Sequence, residues 1–317
     1  MRKVTVVIPN YNGIEFMDKC LSCLVKQNYR DFQVIVVDNG SEDKSELVAN
    51  SYTDRLDVSV IKREDNGGFS KAVNDGIRAS ESEYVILLNN DAYAHEQFVA
   101  ELVKKMDSDT RIFSAQALML QEQNQALVDS AGDYFSALGW GFSRGKDRVA
   151  ELYKEDREIF SSCAGAAIYR KNILDEIGYF DEAFFAYLED MDLGYRARLS
   201  GYINVLASKA IVYHVGSGSS GSRHNAFKVK LSSRNSFLVM YKNFAWWQWV
   251  LNAPLVFFGC LVKVIFFGKK KLAKEYVAGI KEYKRNRKNV IRTTTLKGTR
   301  RKIQVSLWKN CFLRFGK

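Results

Sequence analysis

The chain has 317 residues, with 47 Lys and Arg against 36 Asp and Glu, a formal net charge of +11 and five cysteines. That length supports one large α/β domain with an appendage, or two domains. An odd, sparse cysteine count excludes a disulfide-stapled scaffold, and buried free thiols suit a reducing cytosol. The first residues, Met1 to Ile8, are too short an apolar run for a signal peptide and reach Pro9 and Asn10 at once. Charge is unevenly placed: residues 223–317 hold 23 Lys and Arg against 2 Asp and Glu, which leaves residues 1–222 net negative. Such asymmetry points to a basic tail that meets an anionic surface, either membrane or nucleic acid.

Val4 to Ile8 reads as a fully buried strand, rich in β-branched residues. A helix follows over 13–27, with Phe16, Cys20, Leu21 and Leu24 at helix spacing. Cys20 and Cys23 share its apolar face, and no second pair follows to complete a zinc site. Phe32 to Val37 is a second buried strand, ending at Asp38. Leu47 to Tyr52 continues a helix that begins near Ser41, a candidate N-cap ahead of Glu42 and Asp43. Val58 to Lys62 is a strand, Phe69 to Ala79 a helix, Tyr84 to Leu88 a strand and Phe98 to Met106 a helix. This alternation predicts an α/β fold with a mostly parallel sheet flanked by helices.

Residues 112–160 read as less regular, with Gly132, Gly139, Gly141 and Gly145 marking turns. Strand pattern returns at Ala164 to Tyr169, a helix runs to Leu199, and strands follow near Asn204 to Ala207 and Ala210 to His214. Ser217 to Ser222 is a glycine/serine loop of the kind that often covers a site. Phe244 to Val262 then carries no charged residue over 19 positions and has Trp246, Trp247 and Trp249 at one end. Beyond it, Leu272, Tyr276, Ile280 and Tyr283 form an apolar stripe on a cationic helix, and Ile303, Leu307, Cys311 and Phe315 form another.

Several strand ends carry polar chemistry. Carboxyl ends of parallel strands border the crevice where open α/β sheets bind ligands. Pro9-Asn10-Tyr11-Asn12-Gly13 suits a nucleotide loop in which Tyr11 stacks on a base, or a plain strand-to-helix turn. Asp38 either accepts hydrogen bonds from a base or ribose or makes an Asx turn with Asn39-Gly40-Ser41. Asn66-Gly67-Gly68 precedes a helix whose N-terminus can approach phosphate, although no full dinucleotide or Walker pattern is present. Asn89-Asn90-Asp91 offers one carboxylate to Mg²⁺ or Mn²⁺, ions commonly held by one or two carboxylates plus substrate phosphates. His214 also closes a strand, as a structural residue or a ligand. Among Glu189, Asp190 and Asp192, one carboxylate can serve as a base toward a hydroxyl. Asp192 suits the helix N-terminus together with Arg196 four residues on.

In this order, these pieces resemble the inverting family 2 glycosyltransferases with the GT-A fold. The matching segments are Val6 to Asn12, Val36 to Ser41, Asn66 to Phe69 with Asn74 and Gly76, Leu88 to Asp91, Phe180 to Glu182, Phe185 to Leu193, Gly201-Tyr202 and His214. They cover roughly residues 3–222 and look most like a rhamnosyltransferase branch that builds cell-surface polysaccharide. The resemblance implies transfer of a sugar, rhamnose from dTDP-rhamnose first and a UDP-hexose second, to a polyprenyl-diphosphate-linked saccharide. It implies Asp190 as base with Glu189 beside it. Donor contacts fall to Pro9, Tyr11, Asn12, Asp38, Asn66, Gly67, Asn90 and Asp91, and Mg²⁺ or Mn²⁺ to Asp91 and His214. Asn89 stands where the family's D-x-D motif has its first Asp.

The implied donor is cytosolic, which places residues 1–222 there as the catalytic domain. The uncharged run is long enough to cross a bilayer. One crossing would carry Lys269 to Lys317, with 17 Lys and Arg against 2 Glu, to the far side, against the positive-inside rule. Residues 223–317 are therefore expected to be helices at the cytoplasmic face, lying in the interface or re-entrant, with the tryptophans at headgroup depth and the basic residues on anionic lipid. A cut near residue 243 is expected to leave a soluble, active catalytic part. Nucleic acid is the rival partner for the tail, but an uncharged, Trp-flanked run does not suit it.

Overall fold

The computed structural model describes residues 2–216, 224–293 and 299–313; the glycine/serine loop at 217–222 lies outside these. The first half alternates strands and helices: β1 (Val4–Asn10), α1 (Ile14–Val25), β2 (Phe32–Asp38), α2 (Ser45–Asn50), β3 (Val58–Lys62), α3 (Phe69–Ala79), β4 (Tyr84–Leu88), β5 (Ala92–Ala94) and α4 (Phe98–Asp107). Then come β6 (Ile112–Gln121), β7 (Asn124–Ser130), β8 (Asp133–Phe135), β9 (Gly141–Ser143), β10 (Arg157–Ile159), β11 (Ala166–Arg170), α5 (Lys171–Ile177), α6 (Glu189–Leu199) and β12 (Ile203–His214). Four helices complete the described chain: α7 (Ala226–Asn243), α8 (Trp246–Lys269), α9 (Ala273–Asn286) and α10 (Thr299–Leu313).

The main sheet runs β10-β12-β6-β11-β4-β1-β2-β3. From β3 to β4 every pairing is parallel; β11 lies antiparallel to both β4 and β6, and β6 is parallel to β12. The alternating pleat explains why β1 reads as uniformly apolar. Val4, Val6 and Ile8 pack with Met17, Cys20 and Leu21 on one face, while Val7 packs with Val73 and Ile77 of α3 on the other. Gly76 makes that second contact close, because a Cβ there would lie 2.3 Å from Val7 Cγ1.

Local details depart from expectation. Met17 takes the inward position in α1, and Phe16 is only half-buried. Ser41 is not a helix cap: α2 starts at Ser45, and Ser41 Oγ accepts from the Asn12 amide at 2.9 Å. The stretch after residue 112 contains the ten-residue strand β6, buried throughout. Both faces of β6 are covered; Ser114 bonds to Ser162 and Asn204, and Gln116 donates to Ser130, so its sequence lacks strand alternation. The two expected strands before His214 are one, β12, with a register shift between Ala207 and Ile211.

Residues beyond 222 differ from the rest in charge but share its core. One cluster joins Leu118, Phe135 and Tyr195 to Leu238, Phe244, Val256, Ile303 and Leu307. Of the stripes read on α9 and α10, Tyr276, Tyr283, Ile303 and Leu307 are buried against protein, and Phe315 lies outside the described residues. Asp192, fully buried, ties α6 to α7. Its carboxylate accepts from Arg196 Nε at 2.9 Å, as expected, and also from Lys242 Nζ at 2.8 Å and Asn243 Nδ2 at 2.8 Å. Burial alone would raise the Asp192 carboxyl, yet Lys242 and Arg196 outweigh it and hold the carboxyl below its ordinary range. Its contribution to stability is therefore present above the ordinary carboxylate pKa and lost as pH falls through the depressed value.

A chain cut after residue 243 loses Phe244, Val256, Ile303 and Leu307 from that cluster. The shared cluster argues for the opposite of a soluble truncation. The cut protein is expected to bind a hydrophobic dye and to lose near-ultraviolet circular dichroism. A soluble product with one cooperative urea transition would contradict the shared core.

Candidate active site

The polar residues at the ends of β1, β2 and β4 converge on Asn10. Its Nδ2 lies 3.1 Å from Asp38 Oδ1 and 2.7 Å from Ser45 Oγ, and its Oδ1 accepts from Asn90 Nδ2 at 2.8 Å. The last bond bridges β1 and β4, the point where strand order reverses, which is where such sheets bind ligands. Gly13 keeps it clear: a Cβ there would fall 2.0 Å from Asn90 Nδ2. Asp38 is fully buried, and its second oxygen accepts from Ser41 N–H at 3.4 Å. Pro9 closes β1 beyond its last residue paired with β4, Tyr11 is exposed beside it, and Asn12 Oδ1 accepts from Glu42 N–H at 2.9 Å.

A second set of bonds carries the network across the crevice. Asn39 Nδ2 donates to Asn66 Oδ1 at 2.9 Å, and Asn39 Oδ1 accepts from Gly67 N–H at 3.2 Å. Gly68 has φ +85°, and a Cβ on it would meet the Phe185 ring and carbonyl at 2.6 Å. Ser70, in the first turn of α3, donates its N–H to that same carbonyl. Asn74 completes the join, donating to Phe180 O and accepting from Phe180 N–H.

Asp91 is buried, and its Oδ1 makes no hydrogen bond. That oxygen faces His214 Nε2 at 3.2 Å without hydrogen-bond alignment. His214 is oriented from behind: its Nδ1 lies 2.9 Å from Asp129 Oδ2, and Lys146 pairs with the other oxygen of Asp129. Burial pulls the imidazole pKa down, but Asp129 and Asp91 overcome it and raise it to about 9. A cation bound here would have to displace the His214 proton; the Asp91 oxygen and the neutral Nε2, with Asp129 fixing the ring, would then be donors of the type Mg²⁺ or Mn²⁺ accepts.

Asp190 lies at the start of α6. Its Oδ2 accepts from Ala164 N–H at 3.3 Å and its Oδ1 from Met191 N–H at 2.7 Å. Gly165, next to Ala164, accepts from Asn89 N–H, so β4 and β11 link the Asp190 end of α6 to the Asn89-Asn90-Asp91 segment. Burial lifts the Asp190 carboxyl to about 6 against these backbone donors. Glu189 is buried with Oε2 unpartnered, and burial followed by its neighbour Asp190 pushes it well above the ordinary range. Carboxylate oxygens of Asp133 and Asp190 and Cys163 Sγ lie within 4.8 Å of one another. Burial pushes the Cys163 thiol well up, so it is no thiolate, and all five cysteines are free thiols.

The turn ahead of Asp190 is strained. Phe185, Tyr187 and Leu188 have φ of 63°, 68° and 68°, a region that side chains rarely adopt. Two residues of α7 hold it. Asn235 Nδ2 approaches Phe184 O at 3.0 Å, Ala186 O at 2.8 Å and Tyr187 O at 2.6 Å, and Arg234 donates to Ala183 O and Phe184 O. Sequence reading missed Asn235, Arg234, Asp129 and Asp133. Asp129 and Asp133 flank Gly132 at strand ends, the same signal that marked Asp91. Nothing local marks Asn235, since it lies inside a helix and its role is a contact 48 residues away.

The chain belongs to glycosyl transferase family 2, whose model matches residues 5–178. An uncharacterized glycosyltransferase of Rickettsia typhi is 26% identical over 196 residues, covering 61% of this chain and 58% of that protein. The chain thus spans less than two thirds of the curated relatives it first matches, down to 15% of a Streptococcus pneumoniae glycosyltransferase. Among solved structures, GalNAc-T7 with UDP, GalNAc and Mn²⁺ superposes with TM-score 0.62 at 16% identity, over 76% of this chain and 48% of that one. Staphylococcus aureus TarS 1–349 with UDP-GlcNAc superposes with TM-score 0.56 at 20% identity, over 80% and 70%. These likenesses establish the GT-A-like fold.

Asn235→Ala removes the amide that faces three carbonyls of the turn. Transfer is expected to fall about 10²-fold or more, chiefly in kcat, while donor KM changes little. Steady-state kinetics checks this, with a urea melt to confirm folding. A fall in KM-linked binding alone would place Asn235 elsewhere.

Proposed function

We propose that this family 2 glycosyltransferase transfers a sugar from a nucleoside diphosphate to a hydroxyl with inversion, using Asp190 as base. The observation that carries the reading is a run of contacts at the strand ends: Asp38 to Asn10 and on to Asn90, Asp91 facing His214, and Asp190 held at Ala164 beside the Gly165 carbonyl that Asn89 meets. Asp38 and Asn10 hold the nucleoside end, with Tyr11 exposed to stack on its base, and Pro9, Asn12, Asn66, Gly67 and Asn90 shape the loops around it. Asp91 and His214 hold the divalent cation. When bound, that cation offsets the charge of the departing diphosphate as a Lewis acid.

Asp190 takes the proton of the acceptor hydroxyl as the oxygen attacks the anomeric carbon. Its raised pKa makes it a stronger base than an exposed carboxylate while leaving it ionised at neutral pH. Burial and the neighbouring Asp190 push the Glu189 carboxyl well above its ordinary range, which disfavours charge on Glu189. The donor is rhamnose on dTDP or a hexose on UDP; the UDP ligands of the two structural neighbours favour the second reading. The acceptor is a saccharide carried on a polyprenyl diphosphate at the cytoplasmic face of the membrane. Heat-unfolding protection across a panel of nucleotide sugars identifies the donor.

Asp190→Asn is expected to keep donor binding and lose transfer by about 10³-fold or more. In the unchanged enzyme kcat/KM should fall as pH drops below about 6, where Asp190 takes up its proton. Transfer within about tenfold of the unchanged enzyme would move the base to another residue. The raised pKa also means that ionising Asp190 costs stability as pH rises through about 6, so the Asn variant should melt higher at neutral pH.

Chelation with EDTA should abolish transfer, and Mn²⁺ or Mg²⁺ should restore it. His214→Ala should raise the Mn²⁺ concentration for half-maximal activity about 10-fold or more. Full activity in EDTA would assign the diphosphate charge to protein groups alone.

A further inference from the structure

Helix α8 is apolar on its outward face as well as along part of its inward one, where Val256 and Phe267 are buried. Its outward face carries Trp246, Val250, Pro254, Phe257, Phe258 and Leu261, with Trp246 76% and Phe257 74% exposed. Its inward face carries Gln248 and Asn252, both 0% exposed. The inward amides are fully engaged with α10. Gln304 Oε1 accepts from Gln248 Nε2 and Asn252 Nδ2, each at 3.0 Å, while Asn252 Oδ1 accepts from Gln304 Nε2 at 2.8 Å and Trp308 Nε1 at 3.1 Å. A helix whose outward face meets water carries polar and charged side chains there instead.

We infer that α8 lies flat in one leaflet of an anionic bilayer, its outward face in lipid and its amide seam on the protein, and does not cross the membrane. Contact with the body runs along its whole length, which excludes a crossing. Gln248 and Asn252 bind α10 near one end. Gly259 in the middle lies so close that a Cβ would be 2.5 Å from Leu138 O. Phe267 near the other end packs with Val229 and Tyr276. α10 itself is fixed to the body, with Leu307 in the core and Asn310 Nδ2 donating to Phe135 O at 2.7 Å. Pulling α8 through hydrocarbon would strip four hydrogen bonds from buried amides and leave their polar atoms unsatisfied in lipid.

The partner's charge follows from what borders this face. Lys269, Lys270 and Lys271 end α8, and Arg301 and Lys302 are exposed on α10. Val305, Trp308 and Phe312 of α10 add exposed apolar surface, and the Trp308 bond to Asn252 sets this second stripe beside α8. Apolar side chains rimmed by cations match acyl chains beneath anionic headgroups. This deepens the membrane reading above by naming its surface and mode, and it does not depend on which residue is the base.

The test uses the full chain and preformed vesicles of phosphatidylethanolamine with phosphatidylglycerol. Phe257→Asp, Phe258→Asp and Leu261→Asp together are expected to weaken flotation with vesicles about tenfold or more, since three buried side chains are lost from lipid. Circular dichroism should be unchanged because all three are exposed. In the unchanged protein, lipids brominated in the acyl chain should quench tryptophan fluorescence. Tags at both termini should be cut by protease added outside the vesicles. A protected C-terminal tag would establish a crossing and overturn the inference. So would undiminished flotation of the triple variant, or a vesicle-indifferent dimer that the variant converts to monomer, which would make a second copy the occupant. Transfer to a soluble acceptor mimic reads the chemistry separately: a protein that floats but transfers nothing overturns the enzymatic reading and leaves this one standing.

Discussion

The site depends on a turn that would not hold its shape alone. Phe185, Tyr187 and Leu188 occupy left-handed conformations, each unfavourable by about 1 kcal/mol or more. Asn235 and Arg234 fix the intervening carbonyls from α7, and Gly68 lets the Phe185 ring and carbonyl seat against the start of α3. The turn thereby joins the loop after β3, the start of α6 with Asp190, and the tail helix. Strain of this kind persists only where surroundings over-determine it. Here they do so from both sides.

Residues beyond 222 accordingly share a core with the sheet and α6. Asp192 makes this plain. A fully buried carboxylate is unfavourable unless charge and hydrogen bonds both compensate. Arg196 comes from its own helix, but Lys242 and Asn243 come from α7, so folding of α6 is incomplete without residues beyond 222. In the proposed reading the sheet ends meet the donor and α6 carries the base, while α7 braces the turn ahead of α6.

Polarity inside α8 obeys the same physics with the solvent changed. Gln248 and Asn252 satisfy each other through Gln304 in a place closed to water, while large apolar side chains stay outside. Burying amides as a paired network costs little, whereas leaving one unpaired costs much. The stripes on α9 and α10 that looked suited to lipid are instead the ones that hold these helices to the body.

How much could be read in advance depended on the range of the forces involved. Strand and helix alternation through residue 107, the acidic and amide residues at strand ends, and the Asp192–Arg196 pair follow from local periodicity and short spacing, which one stretch of chain contains entire. The strand β6 escaped because both of its faces are covered, which erases the alternation that marks a strand. Asp129 behind His214, Asn235 behind the base turn and the outward face of α8 are long-range matters. Each depends on which distant group the fold brings within hydrogen-bond reach, or on which side of a helix it leaves uncovered. The residue types by themselves determined the fold class and the family. Packing decided how the tail is used, because burial and strain exist only once both partners are in place.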